Sequence, residues 1–108
     1  MKMREFWESS IRKREFVFFD GGMGTYLQLN DLKQGQLPET FNIDRPEVLK
    51  RLARAYLEAG ADVINTNTFG ANRLKFPADD PGYPIEKIVR SSVENILEVR
   101  EDFLNANP

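Results

Sequence analysis

Two short runs in this 108-residue chain carry groups suited to holding a small ligand. The first is Asp20-Gly21-Gly22-Met23-Gly24, which follows the apolar, aromatic Phe16-Val17-Phe18-Phe19. A carboxylate at the tip of an extended segment offers an anion to an ammonium group. Glycines beside it let backbone N–H groups approach a carboxylate closely. That combination suits an amino acid. The second run is Asn65-Thr66-Asn67-Thr68, amide and hydroxyl side chains that follow Asp62-Val63-Ile64. Both runs also have an ordinary structural reading. Asp before Gly is common turn chemistry, and Asn and Thr at a strand end commonly satisfy neighbouring loops. Nucleotide motifs fit less well: Leu27 stands where a dinucleotide fingerprint needs its third small residue, and no Gly-Lys-Ser/Thr closes a phosphate loop.

Composition narrows the chemistry further. The chain has no Cys, which excludes disulfides and a thiolate nucleophile, and no His, the commonest general base and metal ligand. Any metal site must come from elsewhere or from oxygen ligands. Fifteen Lys and Arg, dispersed among seventeen Asp and Glu, leave no excess positive charge for phosphates, so a nucleic-acid partner is not expected. The N-terminus lacks a long apolar h-region and no segment approaches the length of a membrane span. The expectation is a cytoplasmic chain with no membrane partner.

These groups need elements to position them. Met3, Trp7 and Ile11 recur at helical spacing and predict an amphipathic helix from Met3 to about Arg14, either closing the end of a barrel or lying on the surface. Phe16–Phe19 reads as a buried strand. A short helical turn over Thr25–Leu29 and a loop over Asn30–Pro38 follow. Asp44 with Glu47 forms a capping-box pattern ahead of Pro46, and Val48, Leu49, Leu52, Ala53, Tyr56 and Leu57 make an apolar stripe that Gly60 terminates. Asp62–Phe69 reads as a second strand, with a possible helical turn over Ala71–Leu74. The breaker-rich Pro77–Pro84 should be exposed, and the spacing of Ile85, Ile88, Val89, Ser92, Val93, Ile96 and Leu97 predicts a long helix reaching about Leu104. Strand, helix, strand implies a βαβ unit with parallel strands and a right-handed crossover. Asp20 and Asn65–Thr68 would then meet on one rim, where α/β proteins hold ligands.

Asp20-Gly-Gly-Met-Gly-Thr25 followed by Ala59-Gly-Ala-Asp-Val-Ile-Asn-Thr-Asn-Thr-Phe-Gly-Ala-Asn-Arg73 resembles the homocysteine S-methyltransferase family, and most closely the N-terminal homocysteine-binding module of its cobalamin-dependent members. The match covers nearly the whole chain, and the two motifs together, in order and correctly spaced, are specific. The resemblance implies an α/β fold: the first two βα units of a (β/α)8 TIM barrel, preceded by an N-terminal helix. The barrel is incomplete, because 108 residues fall far short of about 250. Residues 1–108 are thus expected to be the N-terminal fragment of a homocysteine-binding methyltransferase domain. In such a domain Zn²⁺ activates the homocysteine thiol for transfer of a methyl group, from methylcobalamin or another donor, to give methionine.

By the same resemblance Asp20 pairs with the substrate amino group, the backbones of Gly21 and Gly22 face the substrate, and Asn65, Thr66, Asn67 and Thr68 line the pocket floor. The family's zinc ligands are cysteines from later strands, expected beyond Pro108. These residues alone should bind no cofactor and catalyse no methyl transfer. Their partners would be homocysteine and either the remainder of the barrel or further copies of the chain. Two other readings remain open on the residues: a non-catalytic, self-associating α/β fragment, and an unrelated α/β enzyme using Asp20 at a strand tip.

Overall fold

Apolar residues at helical spacing decide where this chain is ordered. The computed structural model describes residues 2–13 and 16–107. Helix α1 is Met3–Lys13, α2 Gly24–Leu29, α3 Phe41–Asp44, α4 Pro46–Glu58 and α5 Ile85–Ala106, with a 3-10 turn at Pro38–Thr40 running directly into α3. The predicted end of the first helix at Arg14 and the side chain of Ile11 lie outside the described residues.

Helix α4 is the centre of the packing. Pro46 occupies its first turn, and Val48, Leu49, Leu52 and Ala53 are buried against the rest of the molecule. Beyond its last turn Gly60 takes φ +105°. Its N–H reaches the Leu57 carbonyl at 3.1 Å and the Ala61 N–H reaches that of Tyr56 at 2.9 Å, the paired bonds of a Schellman cap. The start of α4 differs from the capping-box expectation. Its N-cap is Arg45, with no side-chain cap, because Asp44 is consumed as the last residue of α3. The Arg45 guanidinium instead lies over the Phe41 ring, 5.5 Å from its centroid.

Leu27, Phe41, Val48 and Leu49 form one buried cluster, with Met23, Tyr26 and Leu32 packed on its edge. Helix α5 packs across α3 and α4, burying Ile88, Ser92 and Val99. Phe76, reached through a turn in which Asn72 Oδ1 accepts from the N–H groups of Leu74 and Lys75, is also buried.

The expected α/β architecture, the first two βα units of a (β/α)8 barrel, is overturned. Among the described residues no strand forms, and Phe19 and Val63 make a single isolated parallel bridge. Around it Asp20 N–H donates to the Val63 carbonyl at 2.9 Å, and the N–H groups of Asp62 and Val63 donate to that of Phe18 at 2.7 and 3.1 Å. The ladder goes no further for local reasons. Asp62 Oδ2 takes the Phe18 N–H at 3.0 Å, as a side chain that competes for ladder donors will. Past Ile64 the chain turns polar, and a tight Thr68 N–H to Thr66 carbonyl bond of 3.0 Å ends its extension. A parallel pair also needs cover on both faces, whereas Phe16, Phe18 and Phe19 are 85%, 60% and 52% exposed. Helix α1 lies at the surface of this segment, touching it where Trp7 meets Phe19 edge to face at 6.5 Å.

Candidate functional site

The single bridge is enough to bring the two ligand-suited runs together. Asp20 follows Phe19 directly, and Asn65 lies two residues past Val63, so parallel pairing sets them side by side. Asn65 donates twice to the Asp20 carboxylate, from its backbone N–H to Oδ2 at 3.1 Å and from Nδ2 to Oδ1 at 2.7 Å. Asp20, Gly21, Asn65, Thr66, Asn67 and Thr68 all line one open cleft of about 590 Å³, together with Met23, Leu27, Glu39 and Phe69. Thr66 Oγ1 and Thr68 Oγ1 share a hydrogen bond of 2.8 Å at its edge.

Gly22, the remaining sequence-predicted site residue, is not part of the lining. Its carbonyl accepts the Tyr56 hydroxyl at 2.7 Å, which ties the glycine run to α4. Gly21 leaves room for the same contact: a Cβ there would stand 2.9 Å from the Tyr56 oxygen, so a side chain would displace that hydroxyl. Among the described residues neither the Gly21 nor the Gly22 N–H finds an acceptor, so both remain available to a carboxylate.

Asn67 lines the cleft but spends its polar groups inward. Its N–H donates to Ser92 Oγ at 2.7 Å, and its Nδ2 donates to the Pro38 carbonyl and to Asn42 Oδ1, both at 3.0 Å. Asn42 Nδ2 returns a bond to the Asn67 carbonyl at 3.0 Å and another to that of Ile88 at 3.2 Å, while Asn95 Nδ2 reaches the Asn42 carbonyl at 3.2 Å. Asn42, Asn67 and Ser92 are each less than 9% exposed, and this network joins the cleft floor to α3 and α5. Sequence reasoning missed Asn42, Ser92 and Asn95. The available signal was a small polar residue, Ser92, set within the apolar stripe of α5, and Asn42 set between Phe41 and Ile43.

It also missed Glu39, which is 4% exposed, sits in the 3-10 turn and lines the cleft. Among the described residues no group of three or more His, Cys, Asp or Glu side chains could hold a metal ion, and no helix is long and apolar enough to cross a membrane.

Comparison with known proteins adds to the geometry. The model of the homocysteine S-methyltransferase family matches residues 17–107. The chain is similar to the methionine synthase of Mycobacterium tuberculosis (strain ATCC 25618 / H37Rv), 48% identical over 59 residues, which is 49% of this chain and 5% of that protein. It is similar to the methionine synthase of Mycobacterium leprae (strain TN) with the same identity and coverage. The match therefore spans about 5% of the length of these relatives.

Proposed function

The chain belongs to the homocysteine S-methyltransferase family, and from that membership we propose that it supplies part of the homocysteine pocket of a methyltransferase of the methionine synthase kind. Residues 1–108 are then an N-terminal portion of the homocysteine-binding domain of a longer cytoplasmic enzyme with no membrane or nucleic-acid partner. Homocysteine is the ligand, and Asp20, Gly21, Gly22, Asn65, Thr66, Asn67 and Thr68 are its contacts. The observation that carries this reading is the single cleft lined by Asp20, Gly21 and the whole Asn65–Thr68 run.

The chemistry of binding follows from the groups. A carboxylate accepts about four hydrogen bonds. Asn65 uses two of those on Asp20, which orients the group and leaves capacity for an ammonium. The N–H groups of Gly21 and Gly22 suit the substrate carboxylate, and the Thr66 and Thr68 hydroxyls offer a polar edge. Zinc, expected for thiol activation in this family, does not fit the donors here. The sequence has neither Cys nor His, and the described residues hold no cluster of candidate ligands. No step through zinc is assigned to these residues, and none is assigned to the methylcobalamin donor. Their part is to bind and orient the amino acid end of the substrate, with catalysis left to the rest of the full-length protein.

The test is Asp20→Asn in the full-length protein, which removes the charge and keeps the shape. A charge-assisted hydrogen bond contributes roughly 1.5–3 kcal/mol, so homocysteine affinity measured by calorimetry should fall about tenfold to a hundredfold. Unchanged affinity would reduce Asp20 to a turn residue and remove the proposal's main support.

A further inference from the structure

Glu39 is the one buried carboxylate of the cleft, and nothing in the reading above uses it. The residue is 4% exposed. Among the described residues no donor reaches its side chain and no cation pairs with it. Burying a carboxylate without a partner is unfavourable, so such a group is suited to meeting a cation. Its placement is held on both sides. The Pro38 carbonyl accepts Asn67 Nδ2 at 3.0 Å, and Thr40 Oγ1 donates to the Leu37 carbonyl at 2.7 Å, fixing the turn that carries Glu39. Opposite lies Gly70, where an added Cβ would stand 2.7 Å from Glu39 Oε1. A glycine at 70 therefore leaves the space that the carboxylate occupies. Among the described residues no side-chain oxygen or nitrogen is both fully buried and unpartnered. Glu39 lines the same cleft as Asp20.

We propose that Glu39 is a second ammonium-binding residue of this cleft, acting beside Asp20 to select a ligand with a free primary amine. The proposal rests on the reading of the cleft as an amino acid pocket. An ammonium suits the site better than a metal ion, since the described residues provide no group of three ligating side chains. Its three N–H donors can be shared between two carboxylates, and Asp20 already commits both oxygens to Asn65 while Glu39 commits neither. Glu39 thus has the larger capacity left for the incoming cation. Because its turn is fixed before ligand arrives, little ordering is needed on binding.

Glu39→Gln in the full-length protein tests this, with homocysteine and its des-amino analogue 4-sulfanylbutanoate as probes in calorimetry. The expected result is that the preference of the wild-type protein for homocysteine over the analogue narrows by about tenfold or more in the variant, with affinity for the analogue unchanged. An equal loss for both probes would mean that Glu39 only supports the fold of the cleft, and would overturn the proposal. So would an unchanged preference. Gly70→Ala, which crowds the same carboxylate, should narrow the preference in the same direction, and an unaltered preference there would also count against it. A wild-type protein that binds neither probe would instead bring down the amino acid reading itself, an outcome distinct from a Glu39 failure with wild-type binding intact.

Discussion

The two sides of the cleft are built differently. Asn65–Thr68 and Glu39 rest on a packed helical body, where Phe41, Val48, Leu49 and Ile88 are at most 5% exposed and Asn42, Asn67 and Ser92 are cross-bonded beneath the floor. Asp20 and its glycines hang from a segment whose aromatic residues face solvent. They are held by the Phe19–Val63 bridge, the Asn65 bonds and the Tyr56 hydroxyl on Gly22. A pocket can thus have a floor fixed by its own hydrophobic core and a wall that depends on a handful of polar bonds. Positioning of Asp20 is a local matter, while positioning of Asn67 is a property of the whole helical body.

Truncation on each side should expose the contrast most sharply. Phe41→Ala removes a ring that is 1% exposed at the centre of the main cluster. It should destabilise the chain by about 3–5 kcal/mol in urea unfolding. Phe16→Ala removes a ring that is 85% exposed and should stay within about 0.5 kcal/mol. Similar losses for the two variants would abolish the distinction.

A smaller effect is expected in the polar layer. Asn42→Ala deletes the bonds to the Asn67 and Ile88 carbonyls and to Asn67 Nδ2, and leaves those groups buried without their partner. At about 1 kcal/mol for each hydrogen bond, the loss should be roughly 2–3 kcal/mol. Because the Asn67 side belongs to the helical body, the Asn65 bonds to Asp20 should survive in the folded variant. Chemical shifts of Asp20 that move as far as those of Asn67 would show the two sides to be coupled.

This division also explains what could be read from the sequence. The helices α4 and α5 and the stripe of α4 were legible because burial follows the 3.6-residue period, and Gly60 was legible as a cap because a positive φ favours glycine; on α5 only Ile88 and Ser92 of the expected stripe are buried, while Val89, Val93 and Leu97 are exposed. The meeting of Asp20 with Asn65–Thr68 was legible as well, since it needs only a parallel approach of the two runs. The sheet was misjudged because Phe16–Phe19 has strand composition without the neighbours that would bury it, and composition does not count neighbours. The 3-10 turn, α3 and the buried Glu39 were missed because their placement is decided by distant partners, Asn67 and Gly70, that local pattern does not reveal. The capping box failed for a similar reason: Asp44 finds Tyr83, far along the chain, in place of the α4 amides.

That last contact gives the smallest and most specific expectation. The Tyr83 hydroxyl donates to Asp44 Oδ2, and its backbone N–H donates to Asp80 Oδ2 at 2.6 Å, fastening the breaker-rich loop to the end of α3. The hydrogen bond to Asp44, then partial burial, then the charges of Asp44 and Asp80 raise the Tyr83 pKa above its ordinary value of 10.0. The folded protein holds the phenolic proton more tightly than the unfolded chain does. The stabilisation is therefore complete below about pH 10 and is lost as pH rises through the higher folded value. With Asp44 exposed to solvent, Tyr83→Phe should cost less than about 1 kcal/mol at neutral pH. The difference between wild type and variant should shrink as pH is raised past 10, because only the wild type has a hydroxyl to lose. A gap that holds constant into strong alkali would mean that Tyr83 contributes by packing alone, and that this loop is fastened to the helical body in the same apolar way as the rest of it.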